Sequence, residues 1–379
     1  MSLVSALVPL VILAIYASIS FLLYYGRGIY KAHFFYAALL STYLIIGGVN
    51  ISAYRGTITN LTMQTHLLCL LSFLTAILIF DRDLRGPTKL KMEKPTPRFV
   101  ILATLVPGIL AFILMMAWYG FIPFSASKRF TTNPLVLLML ESLLVPIILL
   151  SRNNFLLQRG GFKYWRGPAI LLLLLMVSGY RGWIVLGVFM VGTFGLLTRQ
   201  SNFSMLSTSR ALSAYRFNSD MLEFLAPIHF AFRETIAIAQ YLWTAAVPDP
   251  STSYVFADFA TLLPGKQLSG GQLIGNLVGR FQQGGLTPGL IGDLIFEYGG
   301  YAYLIFAILG ALTGRLASVA RRQPFGVYGA VYAMYSVYIL HWFHRGILKP
   351  AYVFVTLEMF LVFVLPPILL AMTGTKRLR

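Results

Sequence analysis

Arg181 interrupts an otherwise apolar stretch that runs from Pro168 to Leu197, within Ser178-Gly179-Tyr180-Arg181-Gly182. An ionisable side chain inside a membrane span costs about 2.5–3.5 kcal/mol on insertion scales, so a functional partner is expected for it. For a guanidinium that partner is anionic. Guanidinium meets phosphate oxygens through paired N–H bonds, which makes several arginines around one cavity a seat for a diphosphate. Arg233, Arg280 and Arg345 are the further arginines in constrained contexts.

Groups that could move a proton stand near two of these arginines in sequence. Asp293 and Glu297 follow Arg280 in the run Thr287-Pro288-Gly289-Leu290-Ile291-Gly292-Asp293, which continues through Glu297-Tyr298-Gly299-Gly300. Pro288 near the start of an apolar helix matches a first-turn proline. The two carboxylates are four residues apart and share a helical face. They would repel, so either one carries a proton or a cation such as Arg280 lies between them. A carboxylate in this position is a candidate general base, Asp293 ahead of Glu297. The alternative is a structural ion pair that fixes the loop. Further on, His341-Trp342-Phe343-His344-Arg345-Gly346 places two histidines three apart. A metal site there lacks an obvious third ligand, and solvated or capping histidines fit better. His344 remains a third candidate base, and Arg345 a candidate anion contact. Tyr180, Trp183 and Tyr298 are the aromatic side chains placed to stack on sugar rings.

Other charged residues read more plainly. Arg233 beside Glu234 either pairs with neighbouring helices or points into the same cavity. Glu141 and Glu358 sit inside apolar runs without an adjacent base, and are expected to be protonated or hydrogen-bonded. Asp81-Arg82-Asp83 imitates the D-x-D of nucleotide-sugar enzymes, but the six bases beside it favour solvated charge. Asn60-Leu61-Thr62 is a chance-level glycosylation sequon. There is no Walker A motif, dinucleotide fingerprint or HExxH.

The elements that must carry these residues are membrane helices. Charged residues make up 11% of the 379-residue chain, 58% of residues are hydrophobic, and the mean hydropathy is +0.75. A soluble protein has about 25% charged residues. Apolar runs of about 20 residues recur along the whole length, the pattern of a polytopic helical membrane protein. The expected spans are 3–25, 34–54, 61–80, 99–121, 135–150, 168–180, 183–197, 221–245, 289–314, 324–343 and 351–373. The first is long enough to span and has no basic region before it, so it is expected to be retained rather than cleaved. The single cysteine, Cys69, lies within a span and excludes intrachain disulfides and cysteine–metal sites.

Orientation explains the net charge of +18 better than nucleic acid does. Alternating the loops places 21 of the 30 Lys and Arg on one side, from Arg27 to the Lys376-Arg377-Leu378-Arg379 tail. The positive-inside rule makes that side cytoplasmic, with the N-terminus outside and the C-terminus inside. Arg181, Arg233, Arg280 and Arg345 are then among the few bases left outside. Trp118, Trp183, Trp243 and Trp342 fall near outer span ends, as an interface belt or as sugar platforms.

The expected architecture is therefore all-α, one transmembrane domain over residues 1–379 with about 11 helices. A long outer loop, 246–288, carries short helices, one of them expected within 254–264, and a glycine-rich run read as a flexible lid. The hairpin 168–197 has arms of about 13–15 residues, which rise only about 20 Å against a hydrocarbon core of about 30 Å. Its Arg181 tip would open into a cavity recessed in the outer leaflet. The tip, the Arg280–Gly300 segment and the His341–Gly346 segment could converge there.

The Arg181 hairpin, Leu262-Leu263-Pro264-Gly265 in the loop, the Thr287–Asp293 run leading through Tyr298-Gly299-Gly300, and the late Arg345-Gly346 together resemble the O-antigen polymerase (Wzy-type, oligosaccharide repeat-unit polymerase) family. The resemblance covers roughly residues 168–346. It implies a GT-C-like fold in the cytoplasmic (inner) membrane and a metal-independent glycosyltransferase without cofactor. The donor would be a glycan on polyprenyl diphosphate, the acceptor the terminal sugar hydroxyl of a second lipid-linked unit. Arg181, Arg280 and Arg345, with Arg233, would hold the diphosphate, and Asp293, Glu297 or His344 would take the proton. Membrane lipids, flippase and chain-length regulator proteins would be partners. Two rivals stand beside it. An O-antigen ligase would carry a histidine in a large outer loop, and Pro248–Pro288 has none. A secondary transporter of an anionic substrate would show inverted repeats, and one broken hairpin has no counterpart here.

Overall fold

The computed structural model describes residues 32–48, 56–81, 94–119, 133–159, 161–178, 181–197, 226–263, 267–278 and 286–372. Among them all regular structure is helical. In chain order the helices are α1 (Ala32–Gly48), α2 (Asn60–Phe80), α3 (Arg98–Tyr119), α4 (Pro134–Glu141), α5 (Leu144–Leu156), α6 (Phe162–Val177), α7 (Arg181–Leu197), α8 (Ala226–Ala245), α9 (Ala257–Ala260), α10 (Gly270–Leu277), α11 (Gly289–Tyr298), α12 (Ala302–Arg322), α13 (Val327–Arg345) and α14 (Pro350–Met372). Four stretches are long and apolar enough to cross a membrane: Asn60–Phe80, Arg98–Ala117, Pro134–Leu156 and Gly289–Arg322. Phe35–Gly48, Trp183–Gly195 and Pro350–Leu365 are shorter apolar helices.

Helix starts follow local chemistry. The Thr59 hydroxyl accepts from the Thr62 amide at the head of α2, and Asn133 does the same for Leu135 ahead of Pro134 in α4. Ser269 and Gln272 form a capping box on α10. This gives order to part of the glycine-rich run expected to be a flexible lid. Residues 279–285 of that run lie outside the described residues. The short helix expected within 254–264 is α9.

Two expected spans are broken. Ser142 and Leu143 form a turn that separates α4 from α5. Pro146 lacks the amide that would reach the Ser142 carbonyl, and the Val145 amide takes that carbonyl instead at 2.9 Å. The apolar run from residue 289 is likewise split, at a 3-10 turn over Gly299–Tyr301, so Asp293 and Glu297 ride on the separate ten-residue α11. The hairpin arms α6 and α7 have 16 and 17 residues, more than expected. At 1.5 Å per residue they rise about 24–26 Å, still short of the roughly 30 Å core. The hairpin tip, residues 179–180, and the first expected span, 3–25, lie outside the described residues.

The chain divides into two compact units: Met1–Leu84 with Asn202–Ser318 and Leu340–Leu348, and Arg85–Ser201 with Val319–Ile339 and Lys349–Arg379. In the first unit α8 packs on α1 and α11, and α1 on α2. Its interior is aromatic. Phe343 lies 5.1 Å from Phe73 and 5.5 Å from Phe306, centroid to centroid, and all three are fully buried. Such pairs add about 0.5–1.5 kcal/mol each beyond area burial. Asp81, expected to be solvated, is instead buried and accepts the Ala32 amide at 3.0 Å. The carboxylate meets an otherwise orphan donor at the start of α1 and the positive end of its dipole.

The second unit is tied at one end by Arg152 on α5. This buried guanidinium donates to the Phe325 carbonyl, to the Thr96 hydroxyl at 3.1 Å and to the Lys94 carbonyl at 3.3 Å. Neighbouring Asn153 exchanges two bonds with the Thr96 backbone, at 2.8 and 3.0 Å. Arg152→Ala would strand these acceptors, at about 1–3 kcal/mol for each one left buried. A clear fall in the thermal midpoint of the detergent-solubilised protein is expected. Arg152→Lys should recover little of it, because a compact ammonium lacks the planar fork that reaches three acceptors on two segments.

Candidate functional site

The site in the first unit is built on α11. Pro288 caps this helix from outside rather than filling its first turn, and the helix starts at Gly289, whose φ is +72°. A side chain at that position would sit 2.8 Å from the Phe343 carbonyl of α13. Gly346, just past the end of α13, also has positive φ, +77°. A Cβ there would collide with Asp293 Oδ2 and lie 3.0 Å from the Gly289 carbonyl. Only glycine satisfies both the dihedral and the space at these two points. The Thr287–Asp293 and Arg345-Gly346 segments, more than fifty residues apart in sequence, are thus pressed backbone to backbone.

Asp293 is 0% exposed, and neither carboxylate oxygen has a hydrogen-bond partner among the described residues. The acidic residues that act on it electrostatically are Glu297 and Asp258. Glu297 is differently placed. Its carboxylate accepts the Ser253 hydroxyl at 2.7 Å and the Tyr254 and Val255 amides at 2.8 and 2.9 Å. The Val255 carbonyl in turn accepts the Leu348 amide at 2.8 Å. Glu297 therefore anchors the long loop, which answers the sequence alternative of a loop-fixing role, with backbone donors in place of a cation. Asp258 is held by the Gly270 amide at 2.9 Å, at the start of α10. Where the loop begins, Ser251 and Thr252 donate to Asp249 and hold its carboxyl below the usual range.

His344 is half-buried with its ring 5.8 Å from Phe232, and its Nδ1 has no partner among the described residues. Arg345 is exposed beside it, and Tyr298 is half-buried at the end of α11. Arg233 takes the buried option. It is fully buried on α8 and donates to the Gly56 carbonyl. Two turns further along α8, Gln240 accepts the Thr59 amide at 2.7 Å and the Thr62 hydroxyl at 3.0 Å, and donates to the Thr57 carbonyl at 3.0 Å. Arg233 and Gln240 together clip residues 56–59 onto α8.

Trp183 belongs to the second unit, where it is buried and its indole N–H donates to the Glu141 carboxyl. Arg181 is the first residue of α7 in that unit; its side chain, Tyr180 and Arg280 lie outside what the structure describes. Of the three segments expected to converge, the two carried by α11 and the end of α13 do meet. No three His, Cys, Asp or Glu side chains gather as metal ligands among the described residues.

The sequence reading missed His66. This α2 side chain is fully buried, its Nδ1 donates to the Thr62 carbonyl at 2.9 Å, and its Nε2 has no partner among the described residues. Its ring lies 5.3 Å from Trp243, whose indole donates to the Gly292 carbonyl at 3.2 Å, one residue before Asp293. An ionisable residue in an apolar run was the signal that selected Arg181, and it applied to His66 as well. Compared with family models, curated proteins and solved structures, the chain matches none.

Gly346→Ala would place a Cβ against Asp293 at a positive φ. The strain is about 1–3 kcal/mol before any steric term. The thermal midpoint should fall, and Gly346→Ala combined with Asp293→Ala should recover part of the loss, since the second change removes the colliding carboxylate. Equal, additive losses would show that the two residues are not in contact.

Proposed function

We propose that the chain is a membrane glycosyltransferase that polymerises lipid-diphosphate-linked oligosaccharide repeat units. Its eleven spans would place the long loop, α11 and the end of α13 on the extracytoplasmic side of the cytoplasmic membrane. The observation that carries the reading is Asp293: a fully buried carboxylate whose oxygens have no described partner, held against Gly346 beside Arg345. A carboxylate kept only for structure is hydrogen-bonded, as Glu297 is on the same helix face. One left unpartnered suits a group that meets its hydrogen-bond donor in the substrate.

In the reaction, the terminal hydroxyl of the incoming unit gives its proton to Asp293 as its oxygen bonds to the anomeric carbon of the growing chain. The bond from that carbon to the diphosphate oxygen breaks, and polyprenyl diphosphate leaves with the electron pair. Arg181, Arg280 and Arg345 would meet the charge that develops on it. Arg233 is engaged with the Gly56 carbonyl and would support this wall rather than touch the phosphates. Because guanidinium groups neutralise the leaving group, the mechanism asks nothing of a divalent cation.

The purified protein, mixed with lipid-linked oligosaccharide, should build a glycan ladder that persists in chelator. Asp293→Asn should slow it by about 10²–10⁴, the span of general base catalysis, and Arg181→Ala should also lose the ladder. A ladder lost in chelator would remove the metal-independent mechanism. A full ladder from Asp293→Asn would remove Asp293 as the base, and flux of an anionic solute through proteoliposomes without a ladder would favour transport.

A further inference from the structure

Ser41 Oγ on α1 and Asn60 Oδ1 at the head of α2 are buried without a described partner, and so is a group of atoms in the first unit that contacts link to one another. Asp293 Oδ1 and Oδ2, His344 Nδ1, Trp342 Nε1 and His66 Nε2 are all buried without a described partner. The first three residues sit on α11 and the last turn of α13, which touch at Gly289–Phe343 and Asp293–Gly346. His66 comes from α2 and joins them through a single intermediary. Its imidazole lies against the Trp243 ring, and the Trp243 indole N–H holds the Gly292 carbonyl.

Two features separate His66 from a packing residue. Each buried polar atom left without a partner costs about 1–3 kcal/mol, so an apolar side chain of similar size would serve packing better. The tautomer is also set. A carbonyl only accepts, so Nδ1 carries the hydrogen in the bond to Thr62 and Nε2 is left as the free ring nitrogen. That is the arrangement of an imidazole kept ready for an outside donor. A sugar brings several hydroxyls, each able to donate one hydrogen bond and accept others.

We propose that His66 is a further substrate-binding residue of the Asp293 site, its Nε2 accepting a hydrogen bond from a hydroxyl of the acceptor glycan. Trp243 is the positioning residue that fixes the imidazole and the Asp293 turn to one another. The inference rests on the glycosyltransferase reading and names the group that site would hold. His66 and Asp293 are both 0% exposed, so the proposal requires the site to open when substrate enters.

The test is steady-state polymerisation by the full-length protein, with a lipid-linked single repeat unit as the varied acceptor. His66→Phe and His66→Leu should raise KM for that unit at least about tenfold, equivalent to about 1.4 kcal/mol, with the thermal midpoint unchanged or higher. His66→Gln, which restores an acceptor atom, should recover part of the KM. Trp243→Phe, which keeps a ring but deletes the indole N–H, should lower kcat more than it raises KM. If either apolar variant keeps wild-type KM and kcat, His66 is a packing residue. If neither folds, it is a folding residue, and the proposal is again overturned. A wild-type protein that makes no ladder removes the glycosyltransferase reading itself and this inference with it, an outcome distinct from a working wild type and an indifferent His66.

Discussion

A carboxyl group shut away from water without a hydrogen-bond partner among the described residues is costly to hold, and α11 and the end of α13 close around one. Asp293 sits in the first turns of α11, against a glycine at the end of α13. That contact fixes the distance between two backbones. Gly289 and Gly346 both adopt positive φ, and each touches the opposite segment. A Cβ at either point would force the segments apart and open the space around the carboxylate. The aromatic cluster of Phe73, Phe306 and Phe343 buries the end of α13. The glycines set the approach, and the aromatics supply the burial that holds it.

The neighbouring charges divide the labour. Glu297, one turn on, spends its carboxylate on three donors from the loop, and so converts a long connection into a wall with a fixed start. Asp258 fixes α10 to that wall through the Gly270 amide. Arg233 and Gln240 hold residues 56–59 on α8, at the head of the helix that carries His66. Each of these groups is hydrogen-bonded, mostly to backbone atoms, and reads as structure. Asp293, His66 and His344 are different: each has a buried polar atom without a partner among the described residues, and these are the groups that the proposal assigns to substrate.

Much of this was legible in sequence. Apolar runs located the helices, because burial in lipid requires every backbone group to be satisfied within its own segment. The breaks at Ser142–Leu143 and at Gly299-Gly300 follow from Pro146 and from paired glycines, both readable once weighed against the apolar count. Asp293 and Arg345-Gly346 were chosen from residue type and context, and the fold brings them together. What sequence could not show is which carboxylate would find donors. Asp293 and Glu297 share spacing and surroundings, and they differ only because a loop some forty residues upstream offers its amides to one of them. Asp81 had six bases as sequence neighbours, yet its partner is the amide that starts α1. Arg233 pairs with a backbone carbonyl, a partner that no side-chain pattern announces. Tertiary backbone contacts decided all three.

The chemistry proposed for the site needs a hydroxyl to approach Asp293 while a diphosphate departs nearby. Arg345 adjoins Gly346, the glycine against Asp293, so the proposal brings base and leaving group near one another and asks the arginines to offset the repulsion between them. The most direct measurement is an experimental structure of the protein with a lipid-linked repeat unit bound. The account predicts a terminal sugar hydroxyl within hydrogen-bond reach of an Asp293 oxygen, about 2.6–3.2 Å. A glycan seated elsewhere, with Asp293 still sealed against Gly346, would contradict it.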